Sequence, residues 1–89
     1  MNPGEAGEQI AAASYALGFI AGYEETAKRV RQRAGTLFAQ GSDERAKIYR
    51  GFAEELEARA RLNRQEYETK SRPAYNVAFA FLEGLKEEQ

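Results

Sequence analysis

Residues 10–23 read IAAASYALGFIAGY, fourteen positions without a charge in a chain of 89 residues of which 30% are charged. At helical spacing the run carries two stripes. Ser14, Gly18 and Gly22 stand four apart and make a groove almost free of side chain. Tyr15, Phe19 and Tyr23 stand four apart one position over and make a ridge of rings. A groove beside a ridge suits a helix that receives another helix closely. The rest of the circumference is Ala, Leu and Ile, so the segment is expected to be apolar all round and therefore enclosed.

The composition around this run favours helix. There are sixteen alanines, Glu outnumbers Asp thirteen to one, and Val, Ile and Thr together fill eight positions. Ala and Glu hold a helix well, whereas β-branched residues and Asp do so less readily. At this length the chain makes one domain with a small core, and with no cysteine it has neither disulfides nor thiolate metal sites to reinforce it.

Outward from the run, residues 1–4 are expected to fray and a first helix to span about 5–40, with Glu5 and Glu8 near its positive end. Its inward positions continue as Ala16, Ile20, Tyr23, Ala27, Val30, Ala34 and Leu37, alternating gaps of four and three in a heptad seam. Gly35 leaves open whether the helix is interrupted there. Gly41-Ser42-Asp43 ends it, with Gly41 just past the helix and Ser42 as the next N-cap. A second helix is expected over about 43–70, with Tyr49, Phe52, Leu56, Ala60, Asn63 and Tyr67 on its inner face. The pairs Glu55–Arg59, Glu57–Arg61 and Glu66–Lys70 have the i, i+4 order of a solvent-facing lattice.

Ser71-Arg72-Pro73 reads as a break, because proline excludes helical geometry from the residue before it. Residues 74–87 alternate large and small in a strand-like way over Tyr75, Val77, Phe79 and Phe81. A lone strand would leave its backbone groups without partners, so a third helix over about 73–87 is expected. The fold class is therefore all-α: a long antiparallel hairpin with a shorter third helix packed on its N-terminal half, elongated and oligomeric. Turning about residue 41, the hairpin sets residue i beside 82 − i, which brings Lys28–Arg33 near Glu54 and Glu55. Helix three, turning back at Pro73, lies along residues 10–23 in a three-helix base.

The residue types exclude much chemistry. Without histidine or cysteine there is no imidazole acid-base pair, no Ser-His or Cys-His nucleophile and no zinc set. The clustered carboxylates, Glu5 with Glu8 and Glu54, Glu55 and Glu57, lie among arginines and read as salt-bridged faces. No cofactor or metal is expected, and the chain is read as not an enzyme.

The expectation is a protein partner or homo-oligomer that meets the chain at Ser14, Tyr15, Gly18, Phe19, Gly22, Tyr23 and Phe79. The alternative is a nucleic-acid accessory role, with Lys28, Arg29, Arg31 and Arg33 gripping phosphates. Pairing of these cations with glutamates of helix two is preferred, and the net charge of −1 gives no general attraction to nucleic acid. The apolar run is shorter than the roughly 20 residues of a bilayer span, and acidic residues precede it where an export signal is basic. A cytoplasmic protein without membrane contact is expected.

Overall fold

The computed structural model describes residues 1–87, and every one from Pro3 to Glu87 outside the turn at 40–42 is helical. Three α-helices follow one another: α1, Pro3–Ala39; α2, Asp43–Glu66; and α3, Arg72–Glu87. A π-helical turn, Tyr67–Ser71, joins α2 to α3. The chain packs as two compact units, one of Phe19–Leu62 and one of Met1–Gly18 with the residues from Asn63 onward.

The start of α1 is tied down rather than frayed. The Asn2 side chain accepts from the Glu5 backbone N–H at 2.9 Å and donates to the Glu5 carboxylate at 2.8 Å. Pro3 takes the first helical position, where its missing N–H costs nothing. The cap satisfies one backbone donor of the first turn, Glu5 N–H, and the second bond holds the Asn2 side chain in place for it. The helix then runs through Gly35 without interruption.

The unit Phe19–Leu62 is the antiparallel hairpin. At its tip Gly41 adopts φ +82°. That left-handed turn lets Gly41 N–H reach the Phe38 carbonyl at 3.0 Å and Ser42 N–H reach the Leu37 carbonyl at 2.9 Å, closing the orphan carbonyls of α1. Ser42 starts α2 as expected, its own carbonyl accepting from Ala46 N–H at 2.9 Å.

The buried residues show what faces what. On α1 the buried positions are Ala6, Ala13, Ile20, Ala27, Ala34 and Leu37, and on α2 they are Ala46, Ala53 and Ala60. Five of the first set and all of the second fall every seventh residue. Ala16, Tyr23 and Val30 lie half-buried between them. An alanine can be fully buried only where a neighbouring backbone comes close, because its side chain is one methyl group. The seam is thus a helix pair in close contact, with side chains small enough for the ridges of one helix to settle into the grooves of the other. Here Phe52 is a correction. Ala53 holds the seam position and the Phe52 ring turns outward, 52% exposed, since a phenylalanine on the alanine ladder would push the helices apart. Asn63 is half-buried.

The second correction concerns Pro73. The helix neither stops nor turns back there, so no three-helix base forms. Arg72 N–H bonds to the Tyr67 carbonyl, five residues back, and both flanks of the turn keep right-handed helical dihedrals. The wider turn makes room for the proline ring, which in a regular helix collides with the carbonyl four residues earlier. Thr69 Oγ1 donates to the carbonyls of Gln65 at 3.0 Å and Glu66 at 3.3 Å, a back-bond that bends helices. The inner positions Asn63, Tyr67, Ser71, Ala74 and Ala78 include two gaps of four in a row, 63 to 67 and 67 to 71. That is a skip in the heptad, and the wide turn brings 67 and 71 to one side. Among the described residues of the unit of Met1–Gly18 and Asn63 onward, the fully buried side chains are Ala6, Ala13 and Ala78. The third helix therefore packs on the N-terminal stretch of α1, as expected, but as a continuation of α2.

The seam makes a stability prediction. Ala53→Leu overpacks the closest contact and is expected to cost about 1–3 kcal/mol, read as a lower midpoint in thermal or urea unfolding. Phe52→Ser should cost clearly less, because half the ring is already in water. The reverse order would return Phe52 to the seam.

Candidate interaction surface

The run 10–23 is apolar all round, yet the chain itself covers only one stripe of it. Ala13 and Ile20 are buried and Ile10, Ala16 and Tyr23 are half-buried. Ala11, Ala12, Ser14, Tyr15, Leu17, Gly18, Phe19, Ala21 and Gly22 are exposed. The expectation of enclosure fails because a helix with one close neighbour hides only the strip that faces it. Tyr15 is 73% exposed and Phe19 63%. Beyond its two chain neighbours and the adjacent backbone of its own helix, a Cβ built at Gly18 or Gly22 meets nothing within 4 Å, and the same holds at Gly84. The Ser14-Gly18-Gly22 groove is thus not an internal contact. Ser14 satisfies its hydroxyl on its own helix, donating to the Ile10 carbonyl at 3.0 Å.

Of the other candidates, Tyr23 belongs to the seam and is half-buried. Phe79, on α3, is 47% exposed and stacks on Tyr75 with ring centroids 5.9 Å apart and planes at 19°. Ala78 takes the inner position of α3, leaving Val77 59% exposed. The sequence reading missed four further exposed apolar residues in the hairpin unit: Phe38, Ile48, Phe52 and Leu62. The alanines at 46, 53 and 60 were the signal that could have placed those on α2, since an exact seven-residue ladder of the smallest side chain fixes which side faces in.

The basic run does not gather on one face. At about 100° per residue, Lys28 lies next to Arg31, and Arg29 next to Arg33, on opposite shoulders of α1. Arg31 is engaged by Glu57 through two parallel bonds, Nε to Oε2 and Nη2 to Oε1, both 2.7 Å. Such fork-to-fork geometry is the strong form of this pair. The register expectation placed Arg31 nearer Glu54 and Glu55. Side chains on both helices lean toward their own N-termini, which in an antiparallel pair carries Arg31 and Glu57 toward each other. Arg29 holds Glu25 at 3.4 Å with both side chains exposed. Lys28 and Arg33 have no ion-pair partner among the described residues. Of the expected lattice pairs, Glu66–Lys70 forms at 3.8 Å, and Glu68–Arg72 at 2.8 Å was not foreseen. No group of three acidic residues comes together as a metal site among the described residues.

The hydrogen bond from Arg31 holds the Glu57 carboxyl below its ordinary value, against partial desolvation and helped by the charges of Arg31 and Arg61. The same bond, with the Glu57 charge, raises the Arg31 guanidinium. No helix among the described residues is long and apolar enough to cross a membrane. No family model, curated protein or solved structure matches the chain.

Two outcomes follow from this surface. Because the folded pKa of Glu57 is lowered, the pair's contribution is present above the unfolded value and lost as pH falls through the folded one. The melting-temperature gap between wild type and Glu57→Gln should therefore be present at neutral pH and close as pH is taken below the usual carboxylate range near ~4. A gap that persists in acid would assign the difference to something other than the ion pair. Under dilution, where the chain is single, Gly18→Ala should raise stability by about 1 kcal/mol through helix propensity alone. A loss there would mean that part of the same chain lies against Gly18.

Proposed function

We propose that the chain is a non-enzymatic protein-protein interaction module, cytoplasmic, that works through helix-to-helix contact. It acts as a self-associating unit or as a small adaptor or regulatory subunit docked on a larger partner. The observation that carries this reading is the exposed, uncharged outer side of α1 at residues 11–22, with Tyr15 and Phe19 largely in water. Contiguous apolar surface beyond a few hundred Å² is rare on a protein that works alone and marks interaction sites. The residue types agree: no histidine or cysteine is present to run chemistry. A nucleic-acid role is the weaker reading, because the four cations at 28–33 divide between two shoulders of the helix and Arg31 is held by Glu57.

Sedimentation equilibrium at micromolar concentration, paired with binding of a hydrophobic dye, tests the reading. Wild type should either sediment above its monomer mass or bind dye. Tyr15→Glu with Phe19→Glu should sediment as a folded monomer with unchanged helicity and little dye. A wild-type chain that is strictly monomeric and binds no dye would remove the proposal.

A further inference from the structure

The outer face of α1 is self-complementary when read from that helix alone, which is uninterrupted from Pro3 to Ala39. Every seventh residue along one exposed column is Glu8, Tyr15, Gly22, Arg29. It reads acid, ring, gap, base. Reversed, the same column offers base, gap, ring, acid. Set a second copy antiparallel beside it and the numbers pair to a constant sum: 8 with 29 and 15 with 22, each making 37. Each carboxylate then meets an arginine and each tyrosine ring meets a glycine.

The neighbouring column repeats the pattern. It runs Glu5, Ala12, Phe19, Thr26, Arg33, all exposed, and pairs 5 with 33 and 12 with 26, each making 38, with Phe19 at its own centre beside Gly18. The two centres, midway between residues 18 and 19 for the first column and on Phe19 for the second, lie half a residue apart, under ~1 Å along the helix at about 1.5 Å per residue.

We infer that α1 pairs with α1 of a second copy of this chain, antiparallel about a two-fold axis at Gly18 and Phe19, with Tyr15 seated over Gly22 and Glu8 facing Arg29. This rests on the interaction-module reading and names its partner. An isologous contact of this kind uses one patch twice and closes at two chains. Seven-residue columns suit a coiled-coil crossing, the geometry the alanine ladder already uses. From Glu8 to Arg29 the contact runs about 30 Å at 1.5 Å per residue. The ends are available. Glu8 has no ion-pair partner among the described residues, and Arg29 has only its long contact to Glu25 on the same helix. Glu5 is partly taken by Asn2, so the outer pair adds less than the inner one. A parallel arrangement would set Glu8 against Glu8 and Arg29 against Arg29, like charges at both ends, which costs rather than contributes.

Charge exchange decides the matter. Each of Glu8→Lys and Arg29→Glu, alone, makes both symmetry-related pairs repulsive and should weaken self-association about tenfold or more at low salt. An equimolar mixture of the two variants restores both pairs in the heterodimer, and the doubly exchanged chain restores them in the homodimer. Both should return to within a few-fold of wild type in sedimentation equilibrium, a recovery that a folding defect cannot imitate. Single variants that associate as well as wild type, or a mixture that gains nothing, would overturn the antiparallel pairing while leaving an associating module. A wild-type monomer that binds hydrophobic dye would overturn self-pairing and leave the face to another protein. A monomer without dye binding would sink both.

Discussion

The close alanine seam is the constraint on which the rest depends. Eight of the ten buried residues among those described are alanine, with Ile20 and Leu37 the two large exceptions. Alanine brings helix backbones near each other and maximises contact per unit length between them. It also buries little apolar area per residue, at about 25 cal/mol for each Å² removed from water. Large side chains cannot enter such a seam without opening it. They are therefore displaced to its shoulders and to the outer faces, where Tyr15, Phe19, Phe38, Phe52 and Leu62 are found. The thin core and the exposed rings are two consequences of one packing choice.

The seam also explains how the chain carries a proline inside a continuous helix. Near Pro73 the inner positions skip, and a regular helix would lose both a hydrogen bond and its facing stripe. The π turn at 67–71 accepts the extra residue, relieves the proline and returns Ala74 and Ala78 to the inside. Local chemistry at Pro73 argues for a stop. Continued burial along the inner face, distributed over many residues, keeps the helix going.

Much of this was legible beforehand, and the failures share a cause. All seven inward positions proposed for α1, from Ala16 to Leu37, are buried or half-buried, because charged residues on the other faces mark the inside by contrast. On α2 the reading went wrong at one position, Phe52, where hydrophobicity was ranked above size. In the run 10–23 contrast is absent: the seam carried Ala16, Ile20 and Tyr23 through it, but nothing marked the remaining stripes as outward, and uniform apolarity was taken for enclosure. The stripes themselves, Ser14-Gly18-Gly22 and Tyr15-Phe19, were visible, but whether the chain covers them is a question about its neighbours. The Arg31–Glu57 bond lay a turn from its expected partners because residue counting ignores the lean of side chains along each helix.

The outer face of α1 has a logic that the seam makes sharper. Glycine inside a helix costs about 1 kcal/mol relative to alanine, and at Gly18 and Gly22 nothing in the same chain offsets it. A solvated helix face has no physical use for such residues, and alanine, plentiful elsewhere in this sequence, would serve it better. Rings exposed at Tyr15 and Phe19 are unfavourable in water for the opposite reason. Gap and ring make sense together when each receives the other, since one is the volume the other fills. In that arrangement the hairpin's modest internal burial and its exposed face stop being separate weaknesses. Folding would be linked to association by mass action, and α1 would be covered on both sides by the same device, small residues admitting a neighbouring helix.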